Sequence, residues 1–160
     1  MREFIKQLKT TGEGGATHPY IFQNMDDPNL LQPTVDRLAP LTTDIPWMPT
    51  QRLQFYLGPA LSGAPLHYHS DAINILAHGT KHWYLQSPDQ AEYHTTPTHQ
   101  WDGANELSQS DKLIECTQQA GDVLYVPAGW GHATLNWQES VGVAVEYTLQ
   151  PQEITMATKS

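Results

Sequence analysis

The sequence predicts an all-β domain with minor helices, arranged as a double-stranded β-helix. The chain has 160 residues, the size of one domain with a sizeable core. Its 11 glycines and 12 prolines suit many short strands joined by turns. From Leu53 onward, eight segments have the composition and length of strands, and eight strands suit this fold.

A single domain is expected to cover residues 1–160, with three regions. Residues 1–48 form an N-terminal helical and connector region, 49–150 form the barrel core, and 151–160 form a tail. The sequence contains neither an internal repeat nor a low-complexity tract that would divide the barrel.

Within the first region, residues 2–9 and 29–38 have helical spacing of apolar residues, and Pro33 interrupts the second helix. A further strand is presumed after His18. The predicted strands of the barrel occupy residues 53–57, 65–69, 72–78, 81–86, 113–117, 122–126, 131–137 and 140–148.

Charge and composition exclude some classes of partner. The formal net charge is −9, from 17 acidic and eight basic residues, so the clustered cations that bind nucleic acid are not expected. An acidic face could attract a basic peptide, and it also keeps a protein soluble. A run of about 18 apolar residues, which a membrane helix needs, is not found.

The single cysteine, Cys116, cannot form an internal disulfide and is interpreted as a small buried apolar residue. The opening residues do not have the pattern of a secretory signal. We therefore expect an intracellular location, in the cytoplasm or nucleus.

The most informative stretch runs from Gly121 to Asn136. A turn at Gly121 precedes the apolar strand, Pro127 ends the strand, and Gly129 permits a tight bend before His132 begins the next strand. Each of these residues helps to place one histidine, which indicates a metal site inside a small barrel.

A pair of histidines, His67 and His69, lies 65 positions upstream. Side chains at i and i+2 of a strand share one face, about 6.6 Å apart, so the two imidazoles can converge on one ion while Tyr68 points away. With His132 they make a triad that leaves coordination positions open. Arrangements of this kind are typical of non-haem Fe(II) oxygenases.

The chain resembles the JmjC (jumonji C) domains of the cupin superfamily. The spacing from Gly121 to Asn136 is that of the second cupin motif. The likeness continues through the His67 cluster and three other segments: Pro19-Tyr20-Ile21-Phe22, Phe55-Tyr56-Leu57-Gly58-Pro59 and His78-Gly79-Thr80-Lys81-His82-Trp83.

The resemblance implies Fe(II) bound by His67, His69 and His132, and 2-oxoglutarate as co-substrate. In related domains the lysine at the position of Lys81 binds the 2-oxoglutarate carboxylate, and the asparagine at the position of Asn74 helps to hold it. A compact cation suits that task, and we expect no other Lys or Arg within the pocket-forming strands. The alternatives are a hairpin lysine reaching solvent and a strand amide bonded to backbone.

The chain departs from the family pattern at the ligands. JmjC enzymes usually have a carboxylate where His69 stands, and a neutral imidazole leaves Fe(II) with its full charge. Asp71 could supply an oxygen ligand if the strand bulged, although a solvent-facing side chain is the expectation.

A second departure concerns the pocket walls, where Ala64 and Ala144 replace polar residues of the related domains. Gly142, Ala144 and Glu146 share one face of the last strand. Glu146 therefore faces either the barrel, where asparagine is usual, or the solvent.

Other notable side chains are assigned structural or surface roles. His18, His78 and His82 are expected to be surface or satisfied structural groups, with His82 pointing outward. Trp83 and Trp130 are expected to pack in the core. The polar segment 86–112 is too long for a hairpin loop, so it is either a substrate lid or a solvated insertion.

Three classes of function follow. The first is an Fe(II)- and 2-oxoglutarate-dependent JmjC oxygenase, which would hydroxylate a side chain of a protein or peptide substrate. The second is a three-histidine metal-binding cupin that does not use 2-oxoglutarate. The third is a catalytically silent JmjC-like interaction module. Lys81 favours the first, His69 the second, and the two alanines the third.

Overall fold

A computed structural model describes residues 20–25, 52–101 and 113–147 of the chain. Within these ranges nearly all regular structure is β-strand, and one short 3-10 helix covers Thr98–Gln100. The strands are β1 (Ile21–Asn24), β2 (Arg52–Gly58), β3 (Asp71–His78), β4 (Thr80–Gln86), β5 (Ile114–Gln119), β6 (Val123–Val126), β7 (Gly131–Asn136) and β8 (Ser140–Tyr147).

The described strands form two antiparallel sheets. The larger sheet has the order β1-β2-β8-β3-β6, and the smaller has the order β5-β4-β7. Every strand pair is antiparallel, and each sheet joins strands that are distant in the chain, such as β2 with β8. This architecture confirms the predicted all-β class and double-stranded β-helix.

Seven of the predicted barrel strands are observed, with ends within two residues of the expected positions. The strand presumed after His18 is observed as β1. The predicted helices at 2–9 and 29–38 lie outside the described residues.

The predicted strand at 65–69 was wrong, because this segment makes only an isolated bridge between His67 and His132. The backbone of Ala64 bonds with Thr134, and that of His67 bonds with His132. Between these two contacts lies Pro65, which has no N–H to donate, so a continuous ladder cannot form.

The two faces of β8 divide the core from a cavity. Val143 and Val145 pack with Ile73, Ile75 and Tyr147 on the outer face of the large sheet. On the inner face, a Cβ at Gly142 would overlap the Tyr56 hydroxyl and the Ile75 carbonyl oxygen. Glycine at this position therefore leaves room for the hydroxyl end of the Tyr56 side chain against β8.

The outer face of the small sheet is covered by the 3-10 helix and by Trp101, which follows it. Tyr84 and Trp101 pack against the buried Leu66 and Ala133, and the Thr98 hydroxyl donates to the Ala64 carbonyl oxygen over 3.0 Å. These contacts hold the Ala64–Leu66 backbone, which leads directly into the first histidine.

Within the described residues, no helix has the length and apolar character that a membrane span requires.

Candidate active site

The three predicted histidine ligands come together at one end of the cavity. His67 and His69 lie between β2 and β3, whereas His132 lies on β7. One ligand nitrogen from each ring lies within 4.8 Å of the other two. Reciprocal backbone bonds of 3.0 and 2.8 Å join His67 and His132, so the distant strand is held in register with the pair.

Each imidazole is oriented by a backbone carbonyl. The Nδ1 atoms lie 2.7 Å from the Pro65 oxygen for His67, 2.7 Å from the Ser70 oxygen for His69 and 3.1 Å from the Trp130 oxygen for His132. A carbonyl oxygen only accepts, so Nδ1 carries the hydrogen and Nε2 keeps its lone pair. Metal-binding histidines are commonly oriented in this way.

Burial also favours the neutral forms of the His67 and His132 rings. It lowers the pKa of His67 below its ordinary range and, with the neighbouring His67, lowers the pKa of His132 to about 3. Neutral imidazoles with free Nε2 atoms are good ligands for divalent first-row metals. The donor set therefore fits Fe(II) and its close relatives.

The turn that carries His132 is attached to the segment that carries His69. Gly129 has a φ of +77°, and its N–H donates to the His69 carbonyl oxygen over 2.9 Å. Asp71 Oδ1 accepts from the Tyr125 hydroxyl at 2.5 Å and from the Ala128 N–H at 3.2 Å. Together these bonds fix the spacing between the two ligand segments.

The expectation that Asp71 faces solvent was wrong. Its exposure is only 7%, because the first residue of β3 directs its carboxylate toward the turn after β6. The carboxylate does not belong to the metal-ligand cluster found among the described residues. Its contacts indicate that Asp71 supports the geometry of the site.

Lys81 also lines the cavity and is 1% exposed. Its Nζ donates to the Tyr20 hydroxyl oxygen over 3.0 Å and lies 3.8 Å from the centroid of the Tyr56 ring. Burial lowers the pKa of Lys81 to about 7. No carboxylate of the described ranges forms an ion pair with it.

A buried ammonium without a carboxylate partner is costly, since desolvation penalises the charged form. Aromatic faces and one hydroxyl offset part of that cost. The arrangement is therefore suited to an anion that enters from the cavity, and the alternative of a solvent-reaching lysine does not describe its environment.

Asn74 is also buried and contributes to the same cavity. Its Oδ1 accepts from the Tyr56 hydroxyl over 2.8 Å, so the amide is oriented by a side chain of the same sheet. The cavity has a volume of about 220 Å³, and its lining includes all five predicted site residues: His67, His69, His132, Lys81 and Asn74. Their roles in binding remain predictions.

Several cavity residues were missed by sequence reasoning. Tyr20 contacts Lys81 from a segment 61 positions away, and the sequence offered only the short Pro19–Phe22 likeness as a signal. Gln54 lines the cavity from β2, where its alternation with Tyr56 identifies a shared face without saying what it faces. Trp83 is buried as expected, and its ring also lines the cavity.

The cavity lining also includes Ala64, Ala144 and Glu146, the three residues at which the chain departs from the related domains in the pocket walls. The sequence left open whether Glu146 faces the barrel interior or the solvent, and the structure places it in the cavity lining. Its carboxylate lies 3.6 Å from Arg52 Nη1. Arg52 begins β2, so the expectation of no second cation in these strands was wrong, although Arg52 does not line the cavity.

The remaining candidates lie away from the cavity. His82 is buried on the outer face, where Nε2 lies 2.8 Å from Glu115 and the ring stacks on Trp137. The expectation of a structural role is thus consistent with its contacts. Cys116 is only half-buried. The described part of the 86–112 segment packs beside Leu66 and does not line the cavity.

Comparisons with known proteins agree with this architecture. A family model described as JmjC domain matches residues 32–155, more than half of the chain. JmjC domain-containing protein 8 of Mus musculus is 37% identical over 99 residues, which are 59% of this chain and 37% of that protein. The 2-oxoglutarate and iron-dependent oxygenase JMJD4 of Gallus gallus is 30% identical over 105 residues, 55% of this chain and 24% of that protein.

The chain thus spans well under half the length of these curated relatives. Among solved structures, YcfD, a ribosomal oxygenase from Escherichia coli in complex with cobalt and 2-oxoglutarate, matches with a TM-score of 0.59 and 16% identity. That match covers 94% of this chain and 38% of YcfD, and it shows a shared fold. From the extent of the family match and the barrel itself, the chain belongs to the JmjC domain family.

Proposed function

We propose that this domain is an Fe(II)- and 2-oxoglutarate-dependent oxygenase that hydroxylates a side chain of a protein substrate. The observation that carries the proposal is the pairing, within one cavity, of three imidazoles and a buried lysine that lacks a carboxylate partner among the described residues.

The proposed binding of iron is supported by the histidine cluster. His67, His69 and His132 would hold Fe(II) through Nε2, since each Nδ1 is already used by a backbone carbonyl. Three protein ligands leave further coordination positions for a co-substrate and O2. Since all three ligands are neutral, the metal keeps its two positive charges and attracts anionic co-substrates.

The proposed binding of 2-oxoglutarate is supported by Lys81. A 2-oxoacid that chelates the metal has a second carboxylate, and Lys81 would bind it with a charge-assisted bond. Asn74 and Tyr20 would support that contact, because both line the cavity and Tyr20 contacts the ammonium directly. The 220 Å³ cavity is smaller than the pockets of about 300–1,000 Å³ that hold drug-sized ligands, and it suits a small dicarboxylic acid.

In the proposed reaction, 2-oxoglutarate, O2 and a substrate C–H group yield succinate, CO2 and a C–OH group. Bound iron supplies the activation of O2 that this reaction requires. The chain supplies the position of each reactant: the imidazoles hold the metal, Lys81 orients the oxoacid, and the Tyr56 and Trp83 rings exclude water around the ammonium.

Relatives support this reaction class. JMJD4 of Gallus gallus is named a 2-oxoglutarate and iron-dependent oxygenase, and psr-1 of Caenorhabditis elegans, 28% identical over 114 residues, is named an arginine demethylase and lysyl-hydroxylase. The name of psr-1 concerns oxidation at arginine and lysine side chains. We therefore propose a protein or peptide as the substrate of this chain.

The test is binding under anaerobic conditions, where turnover cannot occur. Wild type is titrated with Co(II), and the visible spectrum of the bound ion is followed while 2-oxoglutarate is added. We expect one Co(II) per chain and a spectral change that saturates with 2-oxoglutarate, because the oxoacid enters the metal's coordination shell.

Lys81→Ala serves as the comparison, since it keeps the imidazoles and removes the cation. It should bind Co(II) normally and need far more 2-oxoglutarate. Metal binding without any response to 2-oxoglutarate would favour a three-histidine metal protein instead. A wild type that binds neither ligand would favour a silent interaction module.

A further inference from the structure

One wall of the cavity carries two hydrogen-bond acceptors that the proposed co-substrate cannot use. Gln54 is 5% exposed, and its Oε1 has no hydrogen-bond partner in the described part of the chain. The Glu146 carboxylate lines the same cavity, with a side chain that is 16% exposed. A buried acceptor left unpaired is unfavourable, so Gln54 indicates a donor that arrives with a ligand.

The two acceptors are neighbours on one face of the large sheet. Gln54 on β2 is opposite Ala144 on β8, and Glu146 lies two residues farther along β8. Such diagonal neighbours have Cα atoms about 7–8 Å apart. One side-chain head group placed between them can therefore reach both.

The cation, which comes from β4 of the small sheet, approaches this wall at a different level from the acceptors. Lys81 Nζ lies over the ring of Tyr56, and Tyr56 is the β2 residue opposite Gly142 of β8. Gln54 and then Arg52 follow on the same face of β2, each about 6.8 Å farther along the strand. Because Arg52 is half-exposed, the acceptors lie on the side of the cavity that leads toward solvent.

The co-substrate cannot supply the missing donor. A 2-oxoglutarate dianion carries only acceptors, so it is attracted to Lys81 and repelled by Glu146. We propose that Gln54 and Glu146 form a subsite for the positively charged head group of the target side chain, and that a guanidinium fits it best. The inference rests on the proposed oxygenase function and adds the class of substrate.

The negative charge of Glu146 allows the site to accept a cationic target. Three neutral imidazoles leave a bound divalent metal with both positive charges, which would repel a guanidinium nearby. The Glu146 carboxylate opposes that repulsion. A planar guanidinium presents several N–H donors in a rigid fork, so it can bond to the carboxylate and the amide oxygen together.

Arg52 already presents such a guanidinium to Glu146, at 3.6 Å from its carboxylate oxygen. The Arg52 side chain is 54% exposed, and half-exposed ion pairs contribute little stability. A substrate guanidinium that also reaches Gln54 can therefore displace it.

The experiment measures binding rather than turnover. Isotope-labelled protein, loaded with Zn(II) and 2-oxoglutarate, is titrated by NMR with N-acetylarginine methylamide. The citrulline analogue keeps the planar shape of the arginine head group and lacks its positive charge. The lysine analogue keeps the positive charge and lacks the planar set of N–H donors. We expect the arginine probe to bind about tenfold more tightly than the citrulline probe, and more tightly than the lysine probe.

Variants assign the preference to the two acceptors. Glu146→Gln should remove the preference for the arginine probe over the citrulline probe. Gln54→Leu should weaken binding of the arginine probe. Arg52→Gln should act in the opposite direction and strengthen arginine binding by up to about fivefold, since it removes the competing guanidinium. A merely structural role of Arg52 would not produce that opposite sign.

Persistence of the arginine preference in Glu146→Gln would overturn the subsite, and equal affinity for lysine would overturn the choice of guanidinium. Loss of Zn(II) from Glu146→Gln would show that the carboxylate is a metal ligand, which also contradicts the proposal. Failure of wild type to bind Zn(II) or 2-oxoglutarate contradicts the oxygenase function instead. The same titrations on the metal-free chain then still decide whether the subsite exists.

Discussion

The Lys81 ammonium lies 3.8 Å from the centroid of the Tyr56 ring, and both side chains are essentially inaccessible to solvent. The ring face provides part of the stabilisation that a carboxylate would otherwise provide. Because the Tyr56 hydroxyl in turn donates to Asn74 Oδ1, the Tyr56 side chain links the cation to Asn74, the second residue predicted to hold the co-substrate.

The first prediction concerns Lys81 and 2-oxoglutarate. Lys81→Glu should reduce 2-oxoglutarate affinity by about a hundredfold or more, because it replaces a charge-assisted bond with repulsion in a buried site. Calorimetry with a redox-inert metal measures this effect. Lys112→Glu is the matched control, as it makes the same charge change elsewhere in the sequence. Unchanged affinity in Lys81→Glu would exclude the role.

The second prediction concerns the stability of the ligand-free protein. Burial lowers the pKa of Lys81 from 10.5 to about 7, so between these values the unfolded chain binds a proton that the folded chain does not. Stability should therefore rise with pH across this window, by up to about 1.4 kcal/mol per unit. Urea unfolding at pH 7, 8 and 9 should show the slope.

Lys81→Met provides the comparison for that slope, because it fills similar space without a titrating group. Its stability should depend much less on pH between 7 and 9. Addition of 2-oxoglutarate with metal should also flatten the wild-type slope, since a bound carboxylate favours the charged lysine. Equal slopes in wild type and Lys81→Met would contradict the assignment to this residue.

The third prediction tests the histidine cluster. His132→Ala should lose stoichiometric iron or Co(II), because the two remaining imidazoles cannot complete the triad. His78→Ala is the matched control, since His78 is exposed and lies at the end of β3. Metal analysis after desalting measures both variants. Full loading of His132→Ala would refute the triad.

The fourth prediction concerns turnover. Wild type should convert 2-oxoglutarate to succinate slowly without its macromolecular substrate, because His69 replaces a carboxylate ligand and two alanines replace polar groups. His69→Asp, alone or with Ala64→Thr, should increase succinate formation under O2 with added Fe(II). Rapid succinate formation by wild type, or lower rates in both variants, would show that the three-histidine site is a competent one.

The fifth prediction concerns Asp71, which accepts from Tyr125 and Ala128 next to the ligand segments. Asp71→Ala should weaken Co(II) binding by about tenfold to a hundredfold and alter its visible spectrum, because the turn before His132 loses one of its attachments, the bond from Ala128 to the carboxylate. Asp71→Asn keeps the acceptor oxygen and should restore much of the affinity. Tyr125→Phe removes one bond and should cost about 1 kcal/mol of stability.

If Asp71→Ala lowers stability while Co(II) affinity and spectrum stay unchanged, the residue supports only the fold. The recovery expected of Asp71→Asn separates positioning of the ligands from general destabilisation. Both measurements are made at a temperature where all variants remain folded.

Local patterns in the sequence determined the strands and the spacing of the ligands. Alternating apolar residues and turn-forming glycines and prolines act over a few positions, so seven of the eight predicted barrel strands were located within two residues. The i and i+2 spacing of His67 and His69 also survives without a regular strand. Backbone bonds to His132 and Gly129 hold that segment instead.

Tertiary structure decided what surrounds those side chains. Lys81 is buried because Tyr20 beside β1 and Tyr56 on β2 enclose it together with Trp83 of its own strand, and Tyr20 is 61 positions away in the chain. Asp71 is buried because its hydrogen-bond donors lie more than 50 positions along the chain. Glu146 faces inward because the register of β8 with β2 and β3 selects the face that lines the cavity. Periodicity identifies residues that share a face, but burial and charge compensation depend on partners that only the folded chain brings together.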